Sequence, residues 1–263
     1  MPTAAKRTRS HDYAKTRTAV LAQFSHLRKA VDSLTEEQLA RPARPGGRTA
    51  GDVAAHLSAV AGSILRGLAP PEPPRAEITL LEWPFATAAP AGAGGGDTRG
   101  HAGGAPPAEL PARAADRLGE ALAEVPGSRP VTTPVGAMTL GDFLVTRAVE
   151  LIVLTGDLND ATGLDIPYDR QALASCTRLL ADALAVKAPG GSVEVRIPPF
   201  AVVQCVQGPR HTRGTPPNVV ETDPLTWIRL ATGRTGWAGA LADAKVSASG
   251  ERADLSALLP ILG

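Results

Sequence analysis

Arg147, Glu150, Leu154 and Asp157, in RAVELIVLTGDLND, follow one another at steps of three, four and three residues, the spacing that stacks side chains along one stripe of an α-helix. The stripe carries two carboxylates, yet Phe143, Val149, Leu151, Ile152 and Val153 surround it, so it is not a solvated face. A carboxylate buried without a partner costs several kcal/mol or changes its protonation state. Glu150 therefore needs a partner: Arg147, a metal or a histidine. His56, set among small and apolar residues in TAGDVAAHLSAVAGSILRGL, is the candidate imidazole from another helix. An imidazole facing a carboxylate inside a helix bundle is the usual start of a metal site. The competing reading is an ion pair between Glu150 and Arg147, with His56 a satisfied core residue. A second cluster lies in GPRHTRGTPP, where Arg210, His211 and Arg213 offer groups for an anionic ligand or cofactor, unless the loop is simply solvated.

These residues must be positioned by the elements around them. Residues 1–10 are basic and polar and read as a frayed arm. Tyr13, Val20, Phe24, Leu27, Val31 and Leu34 then recur at helical steps, and RPARPGG ends that helix. Thr49, three residues before Asp52, starts a second helix like a capping box; its inner face carries Val53, His56, Leu57, Val60 and Ile64. In the 86–107 tract 17 of 22 residues are Ala, Gly or Pro, which makes it a flexible insertion with nothing to pack. AELPARAADRLGEALAEV reads as a third helix and MTLGDFLVTRAVELIVLTGDLNDATG as a fourth, capped by Thr139 and closed near Gly163. Four helices with one long insertion predict an antiparallel four-helix bundle over residues 1–163. The rest differs in kind. YDRQALASCTRLLADALAVK is helical, SVEVRIP and FAVVQCV are strand-like, Asp223 and Pro224 start another helix, KVSASG is a short strand and ADLSALLPIL a last helix. Residues 164–263 are thus expected to form an α+β domain, and the fold class is α+β.

Composition narrows the partners. Lys and Arg total 27 against 26 Asp and Glu, so a net charge of +1 gives no reason to expect nucleic acid or an anionic membrane surface. Every apolar run is interrupted well short of a membrane span, and the basic start has no apolar signal core behind it. Cys176 and Cys205 lack metal or redox spacing and read as small buried residues of a reduced, cytoplasmic protein. A small-molecule or protein partner is expected.

GRTAGDVAAHL and, further on, RAVELIVLTGDL resemble the N-terminal domain of the mycothiol-dependent maleylpyruvate isomerase family, a DinB-like four-helix bundle. The resemblance implies zinc or another divalent metal, with His56 as first ligand, Glu150 as second and Asp157 as the trailing aspartate that orients a ligand or replaces one. Arg147 would balance charge. The metal would turn a low-molecular-weight thiol such as mycothiol into a thiolate nucleophile. Leu154 stands where the family's last histidine belongs, and Arg48 where it usually has tryptophan. A thiol-dependent isomerase or transferase with a degenerate site, and a protein that has lost activity, both remain open. GSVEVRIPPFAVVQCVQGPRHTRGTPPNVVETDPLTWIRLATGR, followed by KVSASGERADLSALLP, resembles the bacterial sterol-carrier-protein orthologue domain that follows such bundles in actinobacterial proteins. It implies helices laid on a curved sheet around an apolar tunnel, and hence an alternative function as a non-catalytic sterol or lipid carrier.

Overall fold

The computed structural model describes residues 9–43, 48–88, 117–208 and 217–262, and all structural statements concern these. Helix α1 (Tyr13–Asp32) starts where the Asp12 carboxylate accepts from the Lys15 backbone N–H at 2.9 Å, and it buries Val20, Phe24 and Leu27. A short helix, α2 (Glu36–Ala40), follows; it buries no residue, so no apolar stripe announces it, and its only signal is the reciprocal Thr35–Gln38 cap. Helix α3 (Ala50–Leu68) opens on the expected reciprocal cap: the Thr49 hydroxyl accepts from the Asp52 N–H at 3.2 Å, and the Thr49 N–H donates to the Asp52 carboxylate at 2.8 Å. Helix α4 (Trp83–Ala88) runs into the first three positions of the 86–107 tract; residues 89–107 lie outside the described residues. Of the expected third helix, residues 117–122 are described and helical (α5), with Leu118 and Leu122 fully buried.

Between α5 and the next helix stands an antiparallel hairpin, β1 (Pro130–Thr133) and β2 (Gly136–Thr139), that the sequence did not announce. Its strands are four residues each, too short for a clear alternation, and Gly136 at φ 121° makes the turn. Helix α6 (Leu140–Thr162) matches expectation at both ends: the Thr139 side chain accepts from the Asp142 N–H, and Gly163, at φ 74°, closes it. It is apolar over most of its surface because it is covered on most sides, packing on α1, α3 and the following helix.

That helix, α7 (Arg170–Lys187), is capped by Asp169 and packs on α6 and α1 as well as on the sheet beyond. The sheet consists of β3 (Val193–Ile197), β4 (Ala201–Cys205), β5 (Val219–Thr222) and β6 (Val246–Ser249) in the order β4-β3-β5-β6. The β3–β5 pair is parallel and the outer pairs are antiparallel. Val193, Val195 and Ile197 of β3 point inward with no exposed surface, the period-two pattern of a half-buried strand. Helix α8 (Pro224–Ala231) starts at Asp223 as expected, and a short α9 (Trp237–Ala242) follows. ADLSALLPIL is not a helix. It holds a single 3₁₀ turn, Ser256–Leu258, because Pro260 denies the helix a donor and forces the residue before it into extended backbone. The fold is α+β, with a helical N-terminal region and a C-terminal sheet domain, and one continuous apolar core runs through both. Among the described residues no helix is long and apolar enough to cross a membrane.

The described end of the N-terminal arm is not frayed. Arg9 donates to the Val202 carbonyl at 3.2 Å and pairs with Asp182 at 3.6 Å, which ties the arm to β4 and α7. His11 beside it is pushed below the ordinary histidine value by burial and by the Arg178 and Arg9 guanidiniums. With the folded value below the unfolded one, the unfolded chain binds the extra proton. The stability His11 contributes is therefore complete above about pH 6.5 and is lost as pH falls below it. The fall in thermal midpoint between pH of about 7.5 and about 5.5 should be smaller in His11→Asn than in the parent; equal falls would assign the effect elsewhere.

Candidate functional site

The α3–α6 contact brings His56 and Glu150 together. His56 projects from the face of α3 that buries Val53, Leu57, Val60 and Ile64, and Glu150 meets it from the middle of α6. His56 Nε2 and Glu150 Oε1 are 2.5 Å apart, and Arg147 Nη1 faces the other carboxylate oxygen. Arg147 is itself fixed, with its Cζ 4.8 Å from the centroid of the Phe143 ring and its Nε donating to Thr146 Oγ1 at 3.2 Å. Burial alone would raise the Glu150 pKa, but Arg147 and then His56 outweigh it and hold the carboxyl below the usual carboxylate range. Glu150 is thus an anion at neutral pH. The side chains of His56 and Glu150 keep 30% and 24% of their surface, against 14% for Arg147, so a small molecule can reach the imidazole while the guanidinium stays behind.

Of the partners open to Glu150, two are present together, the arginine and the histidine. Leu154, one turn further along α6, is buried at 6% exposure. Asp157 lies two turns, about 10 Å, beyond Glu150. It is held elsewhere: Arg234 donates to both its oxygens, Nε to Oδ1 at 3.0 Å and Nη2 to Oδ2 at 2.9 Å. Arg229 of α8 reaches Asp160 of α6 at 2.6 Å beside it. Arg234 and Arg229 both stand in DPLTWIRLATGR, and no role for them was legible there. The signal was on the other partner: Asp157 shares the buried stripe of Glu150 and needed a cation, which came from a distant segment. Arg210, His211 and Arg213 lie outside the described residues. Cys176 and Cys205 are free and buried, and burial drives the Cys176 thiol far above its ordinary pKa, so it is no nucleophile.

The donor set can be tested against the zinc that the resemblance implies. Two donors on one tetrahedral zinc, each about 2.0 Å from it, stand about 3.3 Å apart. Nε2 and Oε1 at 2.5 Å instead share a proton. The position one turn after Glu150 is leucine, which has no lone pair, and among the described residues no three His, Cys, Asp or Glu side chains are grouped to hold an ion. As placed, these residues do not fit a resident zinc.

The Asp157–Arg234 pair is nearly sealed, its side chains 6% and 18% exposed, so removing one partner strands a charge. Asp157→Ala should lower unfolding stability by about 3 kcal/mol. The double variant with Arg234→Ala should cost less than the sum of the two single changes. Additive losses in denaturant unfolding would show that the pair is not coupled.

The sequence model of the family described as "Mycothiol maleylpyruvate isomerase N-terminal domain" matches residues 20–159, and that described as "Bacterial SCP ortholog" matches residues 169–261. Among solved structures, the crystal structure of the mycothiol-dependent maleylpyruvate isomerase is similar at 16% identity and a TM-score of 0.54, over 93% of this chain and 95% of that one. A mutant of the same enzyme, with a histidine replaced by alanine, is similar at 17% identity and 0.53, over 93% and 95%. At these identities the likeness is one of fold. No curated protein matches the chain.

Proposed function

The chain belongs to the family of the mycothiol maleylpyruvate isomerase N-terminal domain, and from that premise we propose that it handles a low-molecular-weight thiol, such as mycothiol, with an imidazole–carboxylate pair in place of a metal ion. The supporting observation is the 2.5 Å contact of His56 with an ionised Glu150. An ionised carboxylate accepts, so the imidazole donates through Nε2 and carries its lone pair on Nδ1, which has no hydrogen-bond partner among the described residues. A thiol S–H placed at Nδ1 loses its proton to the ring. Glu150 and Arg147 already cancel, so the protonated ring leaves one net positive charge beside the new thiolate and stabilises it. Glu150 orients the ring throughout, and Arg147 keeps Glu150 ionised. In this reading His56 and Glu150 are acid–base groups rather than ligands, and Asp157 is a structural anion.

Two measurements test this. Protein purified without chelator or added metal should carry well under one equivalent of zinc, and Leu154→His alone should stay below one equivalent, because Arg147 still holds the second Glu150 oxygen. A stoichiometric zinc content in the parent would overturn the metal-free reading. Thiolate absorbance of N-acetylcysteine at neutral pH should rise in the presence of the protein and not in the presence of His56→Gln. Equal absorbance with both would remove the imidazole from the proposal. The protein's own thiols give little background, since both are buried.

A second reading, a carrier of small lipid-like ligands, is supported by the match of residues 169–261 to the bacterial SCP ortholog description. Against a wide tunnel between α7, α8 and the sheet stand Leu180, Leu184, Val195, Ile197 and Trp227, all closed to solvent at 1% or less.

A further inference from the structure

The end of the β3–β4 hairpin opens a groove of about 590 Å3, lined by Arg9, Arg178, Arg196, Pro198, Phe200 and Val202 among others. Among the described residues three arginines meet there, but two are already answered. Arg9 pairs with Asp182 at 3.6 Å. Arg196 holds Glu194 through Nε at 2.8 Å and Nη2 at 2.7 Å, and faces Glu221 at 4.0 Å. Arg178 differs. Its Nε donates to the Phe200 carbonyl at 3.1 Å, which fixes the guanidinium at the hairpin end, and among the described residues no carboxylate stands within ion-pair distance of its two terminal nitrogens. His11, on the arm beside it, feels its charge: after burial, the Arg178 guanidinium and then that of Arg9 depress its pKa. The floor of the groove is apolar. Val202, opposite Arg196 in the β3–β4 register, is 54% exposed, the most open large apolar side chain among the described residues, and Phe200 and Pro198 adjoin it.

We propose that this groove binds an organic carboxylate with a short apolar body, its carboxylate taken end-on by the two terminal nitrogens of Arg178 and its body laid on Val202, Phe200 and Pro198. With Nε committed to a backbone carbonyl, the remaining fork of the guanidinium presents two parallel donors, the arrangement that matches a carboxylate in a plane. The apolar floor selects against a bare inorganic anion, which gains nothing from it, and the unpaired cation selects against a neutral amphiphile. The volume is within the range of small-ligand clefts. The inference involves neither His56 nor Glu150 and stands independently of the thiol reading.

Calorimetric titration of the full-length protein with octanoate, octanol and inorganic phosphate tests it. Octanoate should bind at least about tenfold tighter than either of the others, since it alone uses both halves of the groove. Arg178→Met keeps the apolar stem, removes the fork, and should weaken octanoate about tenfold or more. Should that variant fold poorly, Val202→Glu sets a carboxylate at an already solvated strand position and should weaken octanoate by a similar factor without disturbing the core. Octanol binding as tightly as octanoate, phosphate doing so, no octanoate binding at all, or parent-like binding by a folded variant would each overturn the proposal.

Discussion

Helix α6 is buried along most of its length, yet two of its four carboxylates, Glu150 and Asp157, stand on one stripe within that buried stretch and must be neutralised by their surroundings. A low-dielectric interior makes an unpaired carboxylate expensive, so each anion dictates what stands opposite it. Glu150 is answered by His56 of α3 and by Arg147 one turn back; Asp157 is answered by Arg234, a residue of the C-terminal sheet domain. The same helix thus fixes the geometry of the His56–Glu150 pair and the placing of the sheet domain. Apolar contact alone would do neither, because dispersion and hydrophobic burial set proximity without setting direction.

The helix ends serve that arrangement. Thr139 and Gly163 stop α6 at defined residues, and the Thr49–Asp52 cap does the same for the start of α3, so the ends of both helices are fixed by local contacts. These signals were legible because they are local: a hydroxyl or carboxylate three residues from an orphan N–H, a glycine where φ must be positive. The α6 stripe was legible for the same reason, and from it the need of Glu150 for a partner. Also legible were the strand character of SVEVRIP and FAVVQCV and the start of α8 at Asp223, each carried by period-two alternation or a cap.

What was not legible is non-local or short. The β1–β2 hairpin and β5 are four residues per strand, below the length at which alternation separates from chance, and α2 has no buried face. ADLSALLPIL carries an apolar pattern that resembles a helix, but the missing donor of Pro260 decides otherwise. The Asp157–Arg234 pair joins residues 77 apart in sequence, and no spacing rule reaches that far. Nor does the pattern disclose that Arg178, among the described residues, has no carboxylate at ion-pair distance, since this depends on Arg9 and Arg196 finding carboxylates on α7 and β3, which only the folded chain settles.

The residue types around Glu150 are consistent with one another in a way that bears on Leu154. A carboxylate that shares a divalent ion with two imidazoles has its charge answered by the ion, and a guanidinium on its second oxygen would then repel that ion at close range. Here Arg147 occupies that oxygen and is held in place by Phe143 and Thr146. With the anion already neutralised, a second imidazole at position 154 would enter a buried apolar stretch with no charge to meet and no assured acceptor for its N–H, at the cost of an unsatisfied polar group. Leucine at 6% exposure fills that volume without such a cost. Arginine at 147 and leucine at 154 therefore support the same reading: each suits a site in which the Glu150 charge is balanced by protein, and each would be unfavourable in one where it is balanced by a metal.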